Sequence, residues 1–308
     1  MSPQFLCYNI IILLFYVLTA DFYIVFLREF LMVDKGNFTS SSFDIFDINL
    51  VQKEVDGGSV SIDQIDEAVG NNSNAKSIII SGLKQDTFDY FVKKYGQQFK
   101  AISFWKNKLV EDISLLGTLK DIQFINYFFN QRAISLWDMS DNKALKGLGI
   151  YDFSKLHSIN EIESSTNLEF FGIGDMVWAG MVIDSLKPIA NTKIRHFEWC
   201  GKKVSDNDYR CLAEGNIEIL DINPTRFTLD ELTELLAFFP ESLSGSITKP
   251  YITGSIGKAG SNEHTTFNYL CKNKKACVVG KDDKRFQKYL KDFEYLLEEK
   301  RHMLHLIK

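Results

Sequence analysis

Proline and paired cysteines are scarce in this sequence of 308 residues. It has five prolines and five cysteines, and no two cysteines form a C-x-x-C pair. An odd, unpaired set of cysteines fits a reducing compartment. The G-x-S-x-G, P-loop, H-E-x-x-H and G-x-G-x-x-G patterns are also missing from the sequence. The enzymes and nucleotide-binding proteins that carry those motifs are therefore not indicated.

Charge is missing from the first twenty residues, whose centre at 10–18 is a continuous apolar run. Three interpretations stay open. A signal peptide would need a basic region before this run, and the sequence has none. A membrane anchor over 4–27 would contain Asp21. If Met32 is the true start, residues 1–31 are an upstream extension. This last reading is favoured and predicts a cytoplasmic protein, whereas the other two predict export or membrane anchoring.

Composition predicts a folded protein with a continuous core. Apolar residues make up 45% and charged residues 24% of the chain, and 25 residues are Phe. The net charge of −5 is unevenly distributed, because residues 1–248 carry −11 and residues 249–308 carry +6. An acidic body therefore precedes a basic C-terminal piece.

An apolar kernel with the spacing L-x-x-L-x-L returns along the chain. Its copies are Ala75/Ile78/Ile80, Phe99/Ile102/Phe104, Leu119/Ile122/Phe124, Leu145/Leu148/Ile150, Leu168/Phe171/Ile173, Ile194/Phe197/Trp199 and Ile217/Leu220/Ile222. One such unit has a narrow apolar edge that it cannot bury alone, so stacked copies are expected. An ordinary α/β or all-β domain with accidental periodicity is the alternative.

The kernels resemble those of leucine-rich repeat proteins. The copy at 99–119 is similar to the internalin-like bacterial type, through Asn107, Leu109 and Ile113, and the resemblance covers residues 75–240. It implies an α/β solenoid with parallel strands on a concave face and helical or 3₁₀ return segments. The family places Asn or Cys at the position of Asn107 in each coil. The equivalents assigned here are Tyr127, Phe153, Met176, Lys202 and Thr225, so an unbroken asparagine ladder is not expected.

The resemblance divides the chain into four segments. Residues 1–31 form the hydrophobic N-terminal segment, 32–74 an N-terminal cap, 75–240 about seven repeats, and 241–308 a C-terminal cap with an amphipathic helix. Helices are predicted within 63–69 and 87–95, from the capping box Thr228-x-x-Glu231 to 239, and from 282 onward.

In the family, residues that flank the kernel apolar positions point outward on the concave face. This implies an outward set with large apolar groups and a column of carboxylates, a combination that protein interfaces use. The predicted partner-binding residues are Trp105, Lys106, Ile125, Asn126, Tyr151, Asp152, Phe170, Asp175, Glu198, Asp221 and Asn223. Glycines at 147, 149, 172 and 174 predict a floor poor in side chains between them.

The favoured function is a non-enzymatic protein-protein interaction module. Its acidic column predicts a protein partner with a basic patch, bound more weakly as salt rises. No small-molecule cofactor is expected, and a membrane is a partner only if residues 4–27 are an anchor.

Two alternatives place activity in the C-terminal segment. One is an effector or enzyme, which a buried cluster of His264, Cys271 and Cys277 would favour. The other is nucleic-acid binding through the basic cap, which the acidic body disfavours. A metal site that combines those cysteines with His302 and His305 matches no usual zinc spacing, so no metal is expected.

Overall fold

A computed structural model describes residues 46–52, 60–177, 180–257 and 264–307. The hydrophobic segment predicted at 1–31 lies outside these residues. The described residues fall into two compact units, which divide between Asn216 and Ile217. The N-terminal cap predicted at 32–74 is described only in part.

The chain is an α/β protein with a large parallel sheet, as the sequence predicts. Seven strands of this sheet belong to the first unit. The strands of this unit are β1 (Ile48–Leu50), β2 (Ser77–Ser81), β3 (Ala101–Trp105), β4 (Phe124–Asn130), β5 (Gly147–Phe153), β6 (Phe170–Gly174), β7 (Val182–Ile183), β8 (His196–Trp199) and β9 (Lys203–Val204). Strands β1 to β6 and β8 pair in parallel in chain order, and β7 pairs with β9 in a separate two-stranded sheet.

Helices and 3₁₀ segments connect the strands. They are α1 (Ile62–Gly70), α2 (Gln85–Tyr95), α3 (Lys187–Ala190) and 3₁₀ segments at Gly96–Gln98, Ser114–Thr118, Asn160–Ser164 and Arg210–Glu214. The helices predicted within 63–69 and 87–95 are confirmed. Ser61 caps α1 by accepting a hydrogen bond from the Gln64 amide, and Gln64 returns the contact to the Ser61 amide, which satisfies two amides at the helix start.

On one side of the large sheet, the kernel residues of the strands pack with buried residues of the connecting segments, such as Phe88, Phe91 and Leu116, to form a core. Ile102 of β3 pairs with Ile125 of β4, and Ile125 pairs with Leu148 of β5. All three side chains are fully buried. Paired residues of neighbouring parallel strands point to the same side, so Ile125 belongs to the core.

This pairing corrects one predicted kernel. The copy placed at Leu119/Ile122/Phe124 is wrong by three residues, because the register makes it Ile122/Ile125/Tyr127. With this correction, strands β3, β4, β5 and β6 begin 23 residues apart, at 101, 124, 147 and 170.

Backbone hydrogen bonds repeat at the start of these strands. The Lys100 carbonyl accepts from the amides of Gln123 and Phe124, at 2.8 and 3.0 Å. The Gln123 carbonyl accepts in the same way from Lys146 and Gly147, at 2.8 and 3.1 Å. Each strand therefore begins at a fixed level relative to the strand before it.

Two buried asparagines cross-link the segments that follow the strands. Asn107 accepts from the Leu83 amide at 2.8 Å and donates to the Ile80 carbonyl at 2.9 Å. The register makes Asn130 its equivalent, because Trp105 pairs with Phe128. Assigning Tyr127 to this position was wrong, and the asparagine pattern extends over two consecutive strands.

The second unit combines helices with a small antiparallel sheet. Its elements are β10 (Ile219–Ile222), α4 (Leu229–Ala237), β11 (Tyr251–Gly257), β12 (His264–Leu270), β13 (Cys277–Val278), α5 (Asp283–Ile307) and 3₁₀ segments at Pro224–Arg226 and Ser246–Thr248. Thr228 caps α4 through the predicted capping box with Glu231. The predicted C-terminal helix is confirmed as α5.

Helix α5 packs on both α4 and the small sheet. Tyr289 donates to the Pro250 carbonyl at 2.8 Å and accepts from the Cys271 amide at 3.1 Å. Its neighbour Phe286 meets the Tyr251 ring edge-on, with centroids 4.9 Å apart. These contacts fix the N-terminal half of the helix against the strand ends.

Candidate protein-binding surface

The side of the large sheet opposite the kernel residues carries five of the eleven predicted binding residues, which are Trp105, Asn126, Tyr151, Phe170 and Glu198. It includes Ser103 and Trp105 of β3, which pair with Asn126 and Phe128 of β4. Asn126 donates to the Ser103 hydroxyl at 3.3 Å. The placement of Ile125 on this side was wrong, because its side chain belongs to the core. We call this side the outer sheet face.

An aromatic cluster covers the end of the outer sheet face where the strands finish. Phe128, Phe129 and Tyr151 form its buried part, and the partly buried residues packed against them are Trp105, Met176, Val177 and Cys200. The rings of Trp105 and Phe128 lie 4.5 Å apart and are inclined by 32°. The Lys106 ammonium lies 5.5 Å from the centre of the Trp105 ring, where a cation–π attraction is favourable. We refer to these seven residues as the aromatic cluster.

Tyr151 and Glu198 form a buried polar pair on the outer sheet face. The Tyr151 hydroxyl donates to Glu198 Oε2 at 3.0 Å, and both side chains are buried. The phenol ring of Tyr151 lies between its own backbone and Glu198, in the space above Gly149 and Gly172. A Cβ added at Gly172 would overlap the Tyr151 hydroxyl, and one at Gly149 would lie 2.8 Å from the Tyr151 ring. The expectation of an open glycine floor is therefore wrong.

Three carboxylates of the predicted column, those of Asp152, Asp175 and Asp221, accept hydrogen bonds from loop amides. Asp152 accepts from the amides of Met176 and Val177, both at distances from 3.1 to 3.3 Å. Asp175 accepts from the amides of Gly180 and Met181 at 2.8 and 2.7 Å. These bonds give both carboxylates a structural role in the loop after β6.

Two predicted residues lie in the second unit. Asp221 accepts from the Ser246 amide at 2.7 Å. Asn223 caps the 3₁₀ segment that follows it by accepting from the amide and hydroxyl of Thr225, at 2.9 and 2.8 Å. Both side chains therefore organise their own loops.

Phe170 is a further buried aromatic of the outer sheet face. Its ring meets that of His196 edge-on, with centroids 5.1 Å apart. The sequence interpretation missed Phe128 and wrongly placed Phe124 among the core residues, whereas both belong to this face. The spacing of 23 residues would have found them, since Phe128 lies 23 residues after Trp105 and 23 before Tyr151.

The residues proposed for catalysis or metal binding do not converge. His264 is exposed at the far end of β12 from Cys271 and Cys277, which are both buried. Along β12, His264 lies about 23 Å from Cys271 and about 13 Å from Asn268, the residue that pairs with Cys277. His302 and His305 are exposed on α5. Within the ranges that the structure describes, no group of three or more His, Cys, Asp or Glu could hold a metal ion.

Burial favours the neutral form of three cysteine thiols, those of Cys211, Cys271 and Cys277. It raises the pKa of Cys211 to about 12, and the nearby Asp208 adds to this effect. Burial also raises the pKa of Cys271 and of Cys277. A thiolate is the reactive form, so these side chains act as small packing groups.

Comparison of the sequence with protein-family models and with curated proteins finds no match. Among the described residues, none of the helices combines the length and apolar character needed to cross a bilayer.

Proposed function

We propose that the chain is a leucine-rich-repeat-like solenoid that binds a protein partner and has no enzymatic activity. The repeat architecture is supported by four successive strands that begin 23 residues apart and pair in chain order. It is also supported by the equivalent asparagines 107 and 130, which bond to the neighbouring segment in a manner typical of stacked repeats. In this proposal the outer sheet face is the concave face.

The observation that carries the binding function is the aromatic cluster. Aromatic residues are enriched at the centres of protein interfaces, and Trp and Tyr dominate their hot spots. Here Trp105 is half-buried and stacked on Phe128, with its orientation fixed before a partner arrives. A rigid anchor of this kind loses little side-chain entropy on binding, which favours affinity.

The net negative charge of the first unit favours a partner with a basic surface. The first unit, residues 19–216, contains 21 Lys or Arg and 27 Asp or Glu, a net charge of −6, so the long-range field around it favours a positively charged surface. Lys106 beside Trp105 adds one local positive charge, which would pair with an acid at the edge of the partner's basic patch.

The proposal is tested by crosslinking and capture from the source cells. A photo-crosslinking amino acid at position 106 should label one protein, and the same group at Ile134 should not. Ile134 is 67% exposed and lies outside the aromatic cluster, which makes it the matched control. Capture of the labelled protein should be lost in Trp105→Ala and kept in Ile134→Ala, and it should weaken as salt rises.

Equal capture by both alanine variants would refute the aromatic cluster as the binding surface. Salt-independent capture that still needs Trp105 would refute the basic partner and leave the surface in place. Both variants should first show unchanged circular dichroism, because loss of Trp105 packing against Phe128 could otherwise be confused with lost binding.

A further inference from the structure

A basic surface lies at one end of the second unit, apart from the proposed binding site. Two sequence segments form it: the turn between β12 and β13, and the start of α5. Its exposed lysines are Lys272, Lys274, Lys275, Lys281, Lys284 and Lys288. We call this set the basic end.

Arg285 holds the two segments together. Its guanidinium donates to the carbonyls of Lys275 and Ala276, at 3.0 and 2.6 Å. The turn that carries three lysines is thereby fixed against the start of α5; Lys281 lies just before this helix, and Lys284 and Lys288 lie in its first two turns. The lysines are presented on a fixed backbone and keep flexible side chains.

The acids in this region are already engaged. Residues 272–288 contain seven Lys or Arg and two Asp. Asp282 accepts from the Val278 amide at 2.9 Å and lies 3.3 Å from Arg285. Asp283 accepts from the Gly280 amide at 2.8 Å. Within the described part of the chain, no ion pair joins a lysine of the basic end to a carboxylate.

An apolar side chain projects among these lysines. Val279 is 49% exposed, and its backbone is fixed by a 3.0 Å hydrogen bond from its amide to the Thr266 carbonyl. The aromatic residue of this stretch, Phe286, instead packs inward on Tyr251. Proteins that bind single-stranded nucleic acid without sequence preference use exposed rings on which bases stack. Lysines around an apolar side chain fit an anionic bilayer surface better.

We propose that the basic end docks on the surface of an anionic lipid bilayer. The six lysines lie over acidic headgroups, and Val279 enters the boundary between headgroups and acyl chains. The interaction is electrostatic and reversible, because one valine adds little apolar area and no acyl chain is involved.

The test measures partitioning of the full-length chain onto vesicles. Phosphatidylcholine vesicles that contain phosphatidylserine should bind the protein, and binding should fall as ionic strength rises. Each neutralised lysine should lower the partition coefficient about fivefold, so the triple substitution of Lys272, Lys274 and Lys275 by Gln should lower it about a hundredfold. Val279→Ser should lower it by a smaller factor.

A matched control separates local from net charge. Lys120, Lys143 and Lys193 are exposed lysines of the first unit, and their triple Gln substitution changes the net charge equally. It should alter partitioning less than about twofold. Equal losses in the two triple variants would overturn the proposal.

Two other outcomes would also overturn it. Equal binding to pure phosphatidylcholine vesicles, unaffected by either triple variant, would assign membrane contact to the apolar segment 4–27. A lysine-dependent interaction with a single-stranded oligonucleotide, without one to vesicles, would assign the basic end to nucleic acid.

Discussion

The side chain of Asn130 forms hydrogen bonds with backbone groups in neighbouring segments. Its removal therefore tests how much these bonds contribute to the stability of the fold. Its Nδ2 donates to the Val110 carbonyl at 2.8 Å, and its Oδ1 accepts from the amides of Arg132 and Ala133, each at 2.8 Å. The side chain is fully buried. Asn130→Ala leaves these three backbone groups without their partners.

The expected loss follows from the cost of buried polar groups. An unpaired group costs about 1–3 kcal/mol when it stays away from water. Arg132 is exposed, so water can reach part of this site, and the three costs do not add in full. We expect Asn130→Ala to lower the free energy of unfolding by about 3–5 kcal/mol.

Urea unfolding followed by tryptophan fluorescence measures this loss of stability in the first compact unit, which contains Asn130. All four tryptophans lie between residues 105 and 199, so their signal reports on the first unit. Asn167→Ala is the matched control, because Asn167 makes one exposed hydrogen bond, 2.8 Å from Nδ2 to the Lys143 carbonyl. It should cost about 0.5–1 kcal/mol. A loss below about 1 kcal/mol for Asn130→Ala would refute the role given to its hydrogen bonds.

Two further predictions concern a glycine and a carboxylate. Gly174 has φ +143° and a Cβ there would overlap backbone atoms, so Gly174→Ala should lower the free energy of unfolding in the urea assay by about 3 kcal/mol or more. Gly180→Ala, with open space around it, should be nearly neutral, and equal effects would contradict this account. Hydrogen bonds from Tyr90, Lys94 and Tyr95 lower the pKa of Asp66 to about 2. Their stabilisation is present above the ordinary value near 4 and is lost as pH falls through about 2, so the stability difference between wild type and Asp66→Asn should shrink over that range. A difference that is constant with pH would exclude this linkage.

The sequence predicted well which kinds of residue form the core. It predicted the pairing register of the strands less well. In the first unit, five of the six predicted kernels match the strand pairing. The sixth was misplaced at Leu119/Ile122/Phe124, because these residues have the same spacing as Ile122, Ile125 and Tyr127. Phe124 is apolar and lies on the outer sheet face, so hydrophobicity alone could not separate the two sides of β4.

The candidate site was harder to predict for a related reason. The resemblance to leucine-rich repeats placed Trp105, Tyr151 and Glu198 on the face opposite the core, but it carried no information on where their side chains extend. The contact between Tyr151 and Glu198 joins residues 47 positions apart and depends on the rotamer of one phenol. The three-residue error in the register of β4 also meant that Tyr127, and not Asn130, was assigned as the equivalent of Asn107.

The phenol of Tyr151 occupies the space that a side chain at position 172 would need, so the residues at these two positions depend on each other. A side chain at 172 requires a smaller residue at 151, so sequences that keep this sheet should change the two positions together or not at all. Conversely, Tyr151→Gly would leave a space above Gly149 and Gly172, with the Glu198 carboxylate at one end. A free phenol would match this space in shape and could donate a hydrogen bond to the Glu198 carboxylate. Added phenol should therefore restore the packing that Tyr151→Gly removes.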